Sequence, residues 1–210
     1  MLEREKKQST HFLGLTEVGK LHPLKTMLYF SMAASALLFL VMLGLYTAQR
    51  FHGQNALLQI QVPKAFMVST VVLLFASGLM HRARISFQQD RVKRTISLLL
   101  SSGILGLAFA MLQVIGWREF FMLGYGFPTV NVASSYVFVI TGIHFLHVLM
   151  ALGLLAYGIL PIWRKSKDPV SELLLVTNPF EKRKLDVVIR FWHYVDALWM
   201  VLFVYFVLTF

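Results

Sequence analysis

The chain contains no cysteine. That removes disulfides, thiolate metal sites, cysteine nucleophiles and iron–sulfur ligation together, and it leaves the redox compartment unread. Charge is scarce as well: 14% of the 210 residues are Asp, Glu, Lys or Arg, where a soluble domain carries about 25%. Hydrophobic residues make up 57%, so the missing charge calls for a solvent other than water. No internal repeat or low-complexity segment stands out, and no loop is long enough for a soluble catalytic module. Any chemistry must therefore sit inside the membrane. A secretory signal is also lacking. Met1 to Leu24 are polar and charged, without a short apolar core or a small-residue cleavage site. Residues 1–24 read as a tail, and the first apolar segment is expected to act as its own insertion signal and stay in the mature protein.

What is present is a set of five apolar stretches, at about Met27–Ala48, Pro63–His81, Ile96–Trp117, Ser134–Trp163 and Val187–Phe210. Spanning about 30 Å of hydrocarbon takes roughly 20 helical residues. These runs are continuous rather than alternating, which predicts helices and not barrel strands. The second is the shortest, with Pro63 suited to the first turn of its helix. The fourth is the longest and is expected to tilt or emerge into water. The segment from about Arg164 to Asp186, with Pro169 and Pro179, has room for a short helix. The predicted fold is an all-α bundle of five transmembrane helices over residues 25–210.

Lysine and arginine set the orientation. The tail holds Arg4, Lys6, Lys7, Lys20 and Lys25, and the second loop holds Arg82, Arg84, Arg91, Lys93 and Arg94. The fourth loop holds Arg164, Lys165, Lys167, Lys182, Arg183, Lys184 and Arg190. These are 17 residues on one side, against Arg50, Lys64 and Arg118 on the other. By the positive-inside rule the N-terminus is cytoplasmic and the C-terminus outside. The net charge of +10 is thus a topology signal that also suits anionic lipid head groups, and no nucleic-acid partner is expected. Lys25, His81 and Arg164, near cytoplasmic helix ends, are candidate head-group contacts, although snorkelling explains them equally well.

Nine of the ten carboxylates lie in tails, loops or at helix ends. Asp196 lies about ten residues into the last helix, where an unpartnered acid is costly. Candidate partners are His144 and His147 near the middle of the fourth helix and His193 one turn before Asp196. At about 100° per residue, Trp192, Asp196, Trp199 and Phe203 share a face with His193 at its edge. Thr141, His144, His147 and Ala151 share another, and Thr70, Ser77 and His81 a third. Ser102, Gly106, Ala110 and Gln113 give small-xxx-small spacing that lets helices approach closely. His144 and His147 stand at i and i+3 and cannot take opposite axial positions of one haem, whereas His147 with His193 can in principle. Three readings stay open on residue types alone: a structural hydrogen-bonded cluster of His144, His147, His193 and Asp196, a proton-conducting group, or a metal or haem site. A transporter is disfavoured by the lack of repeats and of paired helix breaks. Trp117, Trp163, Trp192 and Tyr205 fit an interfacial aromatic belt.

The last two helices carry a pattern. Phe191-Trp192-His193-Tyr194-Val195-Asp196-Ala197-Leu198-Trp199 resembles the W-H-x-V-D-x-x-W signature of the third subunit of haem–copper oxidases. Thr141-Gly142-Ile143-His144-Phe145-Leu146-His147-Val148 is similar to that family's T-G-x-H-x-x-H-V segment. Gly106-Leu107-Ala108-Phe109 with Gln113 and Trp117 resembles its third-from-last helix, and Ser69-Thr70-Val71 with His81 and Arg84 fits more loosely. The resemblance covers about Lys25 to Phe210 and is closest to the shorter bacterial form with five helices instead of seven. It implies an accessory subunit of a bacterial cytochrome c oxidase, or of a related quinol oxidase or nitric oxide reductase, in the bacterial cytoplasmic membrane. Such a subunit binds no haem, copper or other metal itself; these cofactors belong to a catalytic partner subunit, which it stabilises while supporting proton entry. The resemblance further implies structural phospholipid in a cleft. One departure stands out: the family often has a glutamate in the first of these helices, where this chain has Ser35 between Ala34 and Ala36. That puts any role of that carboxylate in doubt here.

Overall fold

The computed structural model describes residues 23–52, 63–124, 132–177 and 179–209. These form six helices: α1 (Pro23–His52), α2 (Lys64–Gln88), α3 (Val92–Met122), α4 (Val132–Lys165), α5 (Pro169–Thr177) and α6 (Pro179–Thr209). All but α5 are long and apolar enough to cross a membrane. The five expected spans are present, and α5 fills the segment that had room for a short helix. Tail residues 1–22 lie outside the described residues.

The helices run further than their apolar runs. α2 continues past His81 through Arg82 and Arg84 to Gln88, leaving a three-residue turn before α3. That turn is closed by a left-handed residue, Asp90 at φ 60°. Arg91 N–H donates to Ser86 O at 3.0 Å and Asp90 N–H to Phe87 O at 3.1 Å, the paired bonds that stop a helix sharply. α6 begins at Pro179, eight residues before the expected start. Charges at Glu181, Lys182, Arg183, Lys184 and Asp186 dilute its hydropathy, yet Leu185, Val188 and Ile189 repeat at helical spacing and are buried. Pro63 stands just before α2 rather than in its first turn, a one-residue difference. α4 is the longest span at 34 residues and contains Pro161; at ~1.5 Å per residue it is about 51 Å long, more than the hydrocarbon needs. Asp168 caps α5, accepting from Ser171 N–H at 3.0 Å and from its hydroxyl at 2.8 Å, and these bonds hold its carboxyl below the usual range.

α2 packs along α3, α3 on α4, α4 on α6 and α6 back on α2, closing a four-helix ring. α1 lies outside that ring against α4 and α6. Only 11% of its most apolar window is buried, against 33–39% in the other spans, so most of α1 is left to face lipid or another protein. The small-residue stripe on α3 does what its spacing implies. Ser102, Gly106, Ala110 and Gln113 are all buried, and a Cβ on Gly106 would stand 2.5 Å from the Trp192 indole. Gly116 similarly leaves room for the Phe66 ring. Trp192 therefore fills the core at 3% exposure rather than joining an interfacial belt, because the glycine opposite it makes the space. Trp163, half exposed, keeps a surface position.

Candidate functional site

Polar side chains tie neighbouring helices at several levels. Ser102 Oγ donates to Ala76 O at 3.0 Å and Gln113 Nε2 to Ser69 Oγ at 3.2 Å, joining α3 to α2. Trp117 Nε1 donates to Thr141 Oγ1 at 3.0 Å between α3 and α4. Trp199 Nε1 donates to Thr70 Oγ1 at 3.0 Å between α6 and α2. At the far end of α1, Tyr46 Oη lies 3.4 Å from Thr209 Oγ1, and Thr47 pairs with Tyr205. In a bilayer each such bond replaces a polar group that would otherwise face hydrocarbon.

The most polar feature is a stripe on α6, with Asp186, Arg190, His193 and Asp196 spaced so that each lies a turn beyond the last. Asp186 is a hub. Its Oδ1 meets Arg84 Nη2 of α2 at 2.8 Å, and its Oδ2 meets Arg190 Nε at 2.7 Å and Lys25 Nζ of α1 at 4.0 Å. Arg190 Nη1 reaches on to Tyr29 Oη of α1 at 2.9 Å. A single carboxylate thus pins three helices together. Deeper along the stripe, His193 Nδ1 lies 3.0 Å from Ser77 Oγ of α2 and 3.8 Å from Asp196 Oδ2. The second distance is too long for a hydrogen bond. Tyr194, the next residue, turns to α1: its hydroxyl donates to Met32 O at 2.9 Å and lies 2.5 Å from Ser35 Oγ.

The four residues expected to cluster are distributed over two places. His193 and Asp196 come together beside Ser77. His144 is fully buried, with its ring 5.1 Å from Trp199 and edge-on to Phe109 at 6.1 Å. Neither of its ring nitrogens has a hydrogen-bond partner among the described residues. His147 points the other way, donating Nδ1–H to Ile143 O at 2.8 Å and packing edge-on to Phe39 of α1 at 5.5 Å. Among the described residues no hydrogen bond links either α4 histidine to Asp196. Of the pattern residues, Gln113, Thr141, Trp192 and Trp199 are buried, while a side chain at Gly142 would meet nothing within 4 Å. Of the candidate head-group contacts, Lys25 joins the Asp186 hub, whereas His81 and Arg164 are exposed on separate helices. Among the described residues no group of three or more His, Asp or Glu is placed to hold a metal ion.

Two features escaped the sequence reading: the Asp186 hub and the Ser35–Tyr194 pair. The first had a visible signal, an acid four residues before an arginine at the start of an apolar run. The second had none, because it depends on which helix α6 faces.

A ring of four long apolar helices with a fifth on its flank, held by buried polar pins, defines a multi-pass helical membrane protein. The family model for cytochrome c oxidase subunit III matches residues 24–209, and the chain belongs to that family. It is 30% identical over 136 residues to a cytochrome c oxidase subunit 3 of Thermostichus vulcanus, covering 65% of this chain and 61% of that one. It is 29% identical over 156 residues to one of Bacillus sp. strain PS3, covering 72% and 67%. A cytochrome bo(3) ubiquinol oxidase subunit 3 of Buchnera aphidicola is 28% identical over 141 residues, covering 67% and 63%. The chain thus spans about three fifths of the Thermostichus and Buchnera relatives.

Proposed function

We propose that this chain is a non-catalytic accessory subunit of a bacterial haem–copper terminal oxidase, in the cytoplasmic membrane with its N-terminus inside. The observation that carries the reading is the family match over nearly the whole described chain. It is supported by the packing of the two sequence signatures against each other, with His144 of one beneath Trp199 of the other. In this reading haem and copper sit in a catalytic partner subunit, and this chain stabilises that partner during aerobic electron transport and proton translocation. Its exposed α1 face is available for the contact. Phospholipid head groups meet Lys25, His81 and Arg164. The Buchnera relative, named as a ubiquinol oxidase subunit, favours quinol as the second possibility for the electron donor.

Affinity capture of the full-length chain from native membranes in mild detergent tests this. A haem–copper subunit is expected to copurify, and the captured complex should oxidise either reduced cytochrome c or quinol, which names the donor. A Soret band that stays with the chain after its partners are stripped would overturn the accessory reading.

His144, His147, His193 and Asp196 serve a structural role in this proposal, in two halves. Asp196 with Ser77 and His193 joins α6 to α2, and His144 fills the space between α4 and α6. Asp196→Ala removes the buried carboxylate that lies 3.8 Å from His193 Nδ1 at the α6–α2 junction, so the yield of assembled complex should fall several-fold while the turnover of what assembles is kept. Normal yield would remove Asp196 from the structural role.

A further inference from the structure

A polar atom buried in a membrane bundle has no bulk water to turn to, so one without a partner is costly. Among the described residues five buried side-chain atoms lack a hydrogen-bond partner: Gln113 Oε1, both ring nitrogens of His144, Trp192 Nε1 and Asp196 Oδ2. The last two belong together. Trp192 and Asp196 stand four residues apart on α6, so they share a face one turn apart. An indole N–H can only donate, and a carboxylate oxygen accepts. A donor and an acceptor thus lie side by side on one helix, both buried and not bonded to each other.

Their surroundings explain why no direct bond closes the pair. The polar side chains acting on the Asp196 carboxylate are His193, Ser77 and Trp192. His193 Nδ1 stops 3.8 Å from Oδ2 and lies 3.0 Å from Ser77 Oγ instead. The indole is packed against α3, where a Cβ on Gly106 would stand 2.5 Å from its Cη2 and 3.2 Å from its Cζ2. Cζ2 adjoins the Nε1 side of the ring, so the same contact fixes where the N–H points. We propose that an internal water molecule binds here, accepting from Trp192 Nε1 and donating to Asp196 Oδ2. Its second hydrogen serves Ser77 Oγ, which makes up the roughly three bonds a buried water holds. The α6 stripe supplies the way in, since the side chains of Arg190 and His193 are 41% and 36% exposed and lead from the basic end of the bundle to Asp196. The inference deepens the structural role proposed for Asp196. Assembly yield tests that role and the indole signal tests the water, so either can fail alone.

The test is water-edited NMR of the purified full-length chain in lipid nanodiscs, isotope-labelled at its tryptophan indoles. The other tryptophans are controls. Trp163 is half exposed, whereas Trp117 and Trp199 donate to the hydroxyls of Thr141 and Thr70. With its resonance assigned by Trp192→Phe, the Trp192 N–H should show a water cross-peak several-fold stronger than those of Trp117 and Trp199, although its side chain is buried. In Asp196→Leu that cross-peak should fall several-fold. A wild-type Trp192 signal no stronger than those of Trp117 and Trp199 would overturn the proposal in favour of a direct indole–carboxylate bond, and an undiminished signal in Asp196→Leu would overturn it too. Asp196→Asn, whose amide bonds a water with either end, should keep the cross-peak. It is the variant to read if the leucine chain fails to fold, and loss of the cross-peak there would equally remove the site.

Discussion

Replacing Asp186 by alanine is expected to loosen α1 from the basic end of the bundle and to lower the stability of the isolated chain by about 2 kcal/mol. The magnitude lies between two limits. An exposed ion pair is worth roughly 0.2–1 kcal/mol, whereas removing one member of a buried pair costs about 3–5 kcal/mol because its partner is left uncompensated. Asp186 is 19% exposed at its side chain and its three cations 30–41%, which places the hub between those limits. Its loss would also leave Lys25, Arg84 and Arg190 facing one another without the acid that screens them. Arg190 would keep Tyr29, so α1 should fray rather than detach. Asp186→Asn separates charge from hydrogen bonding, since the amide can still accept from Arg190 but no longer neutralises it. Hydrogen exchange in the first turns of α1, with the thermal midpoint in detergent, checks this. Unchanged protection in Asp186→Ala would mean that lipid or packing, not the carboxylate, holds the helix end.

The hub also marks the limit of what hydropathy reveals. The five spans were legible because continuous apolar runs of that length have few other uses, and the small-residue stripe on α3 was legible because its spacing alone implies close approach. Helix ends were not. Arg84 and Asp186 look like loop residues in a hydropathy scan, yet both are helical and each meets the other's charge across α2 and α6. The same holds for the candidate site. Asp196 was found as an acid at depth, but its neighbour Ser77 lies 119 positions earlier in the chain, and only the ring order of the helices puts it beside His193. His144 and His147 share a broad face, but three residues rotate them about 60° apart. That is enough to send one ring toward Trp199 and the other toward α1. Ser35 is the sharpest case. The family resemblance marked it as the place of a missing carboxylate, and the structure gives that position a hydroxyl partner from Tyr194. The polar contact between α1 and α6 at this level is thus made without an acid.

The largest effect is expected at Trp199. This side chain is fully buried, with ring contacts to His144 at 5.1 Å, Phe109 at 5.4 Å, Phe66 at 5.7 Å and Phe203 at 6.3 Å. It touches α2, α3 and α4 from α6, so it sits where the four-helix ring closes. In a soluble core, truncating a tryptophan to alanine costs about 3–5 kcal/mol, part of it transfer from water and part cavity. In a bilayer the separated helices face lipid as apolar as the core, and the transfer part largely drops out. The packing part remains, because four aromatic neighbours lose their contact partner at once. Trp199→Ala should therefore destabilise the chain by about 3 kcal/mol, the lower end of that range. Trp199→Phe keeps most of the ring contacts and loses the N–H bond to Thr70 Oγ1, worth about 0.6 kcal/mol for such a bond within a membrane. Thr70 can still donate to Phe66 O at 2.8 Å, so no buried donor is stranded. Denaturant titration of the chain in mixed micelles should then rank wild type just above Trp199→Phe and far above Trp199→Ala. If the phenylalanine variant proved as weak as the alanine one, the hydrogen bond rather than the aromatic packing would be what closes the ring.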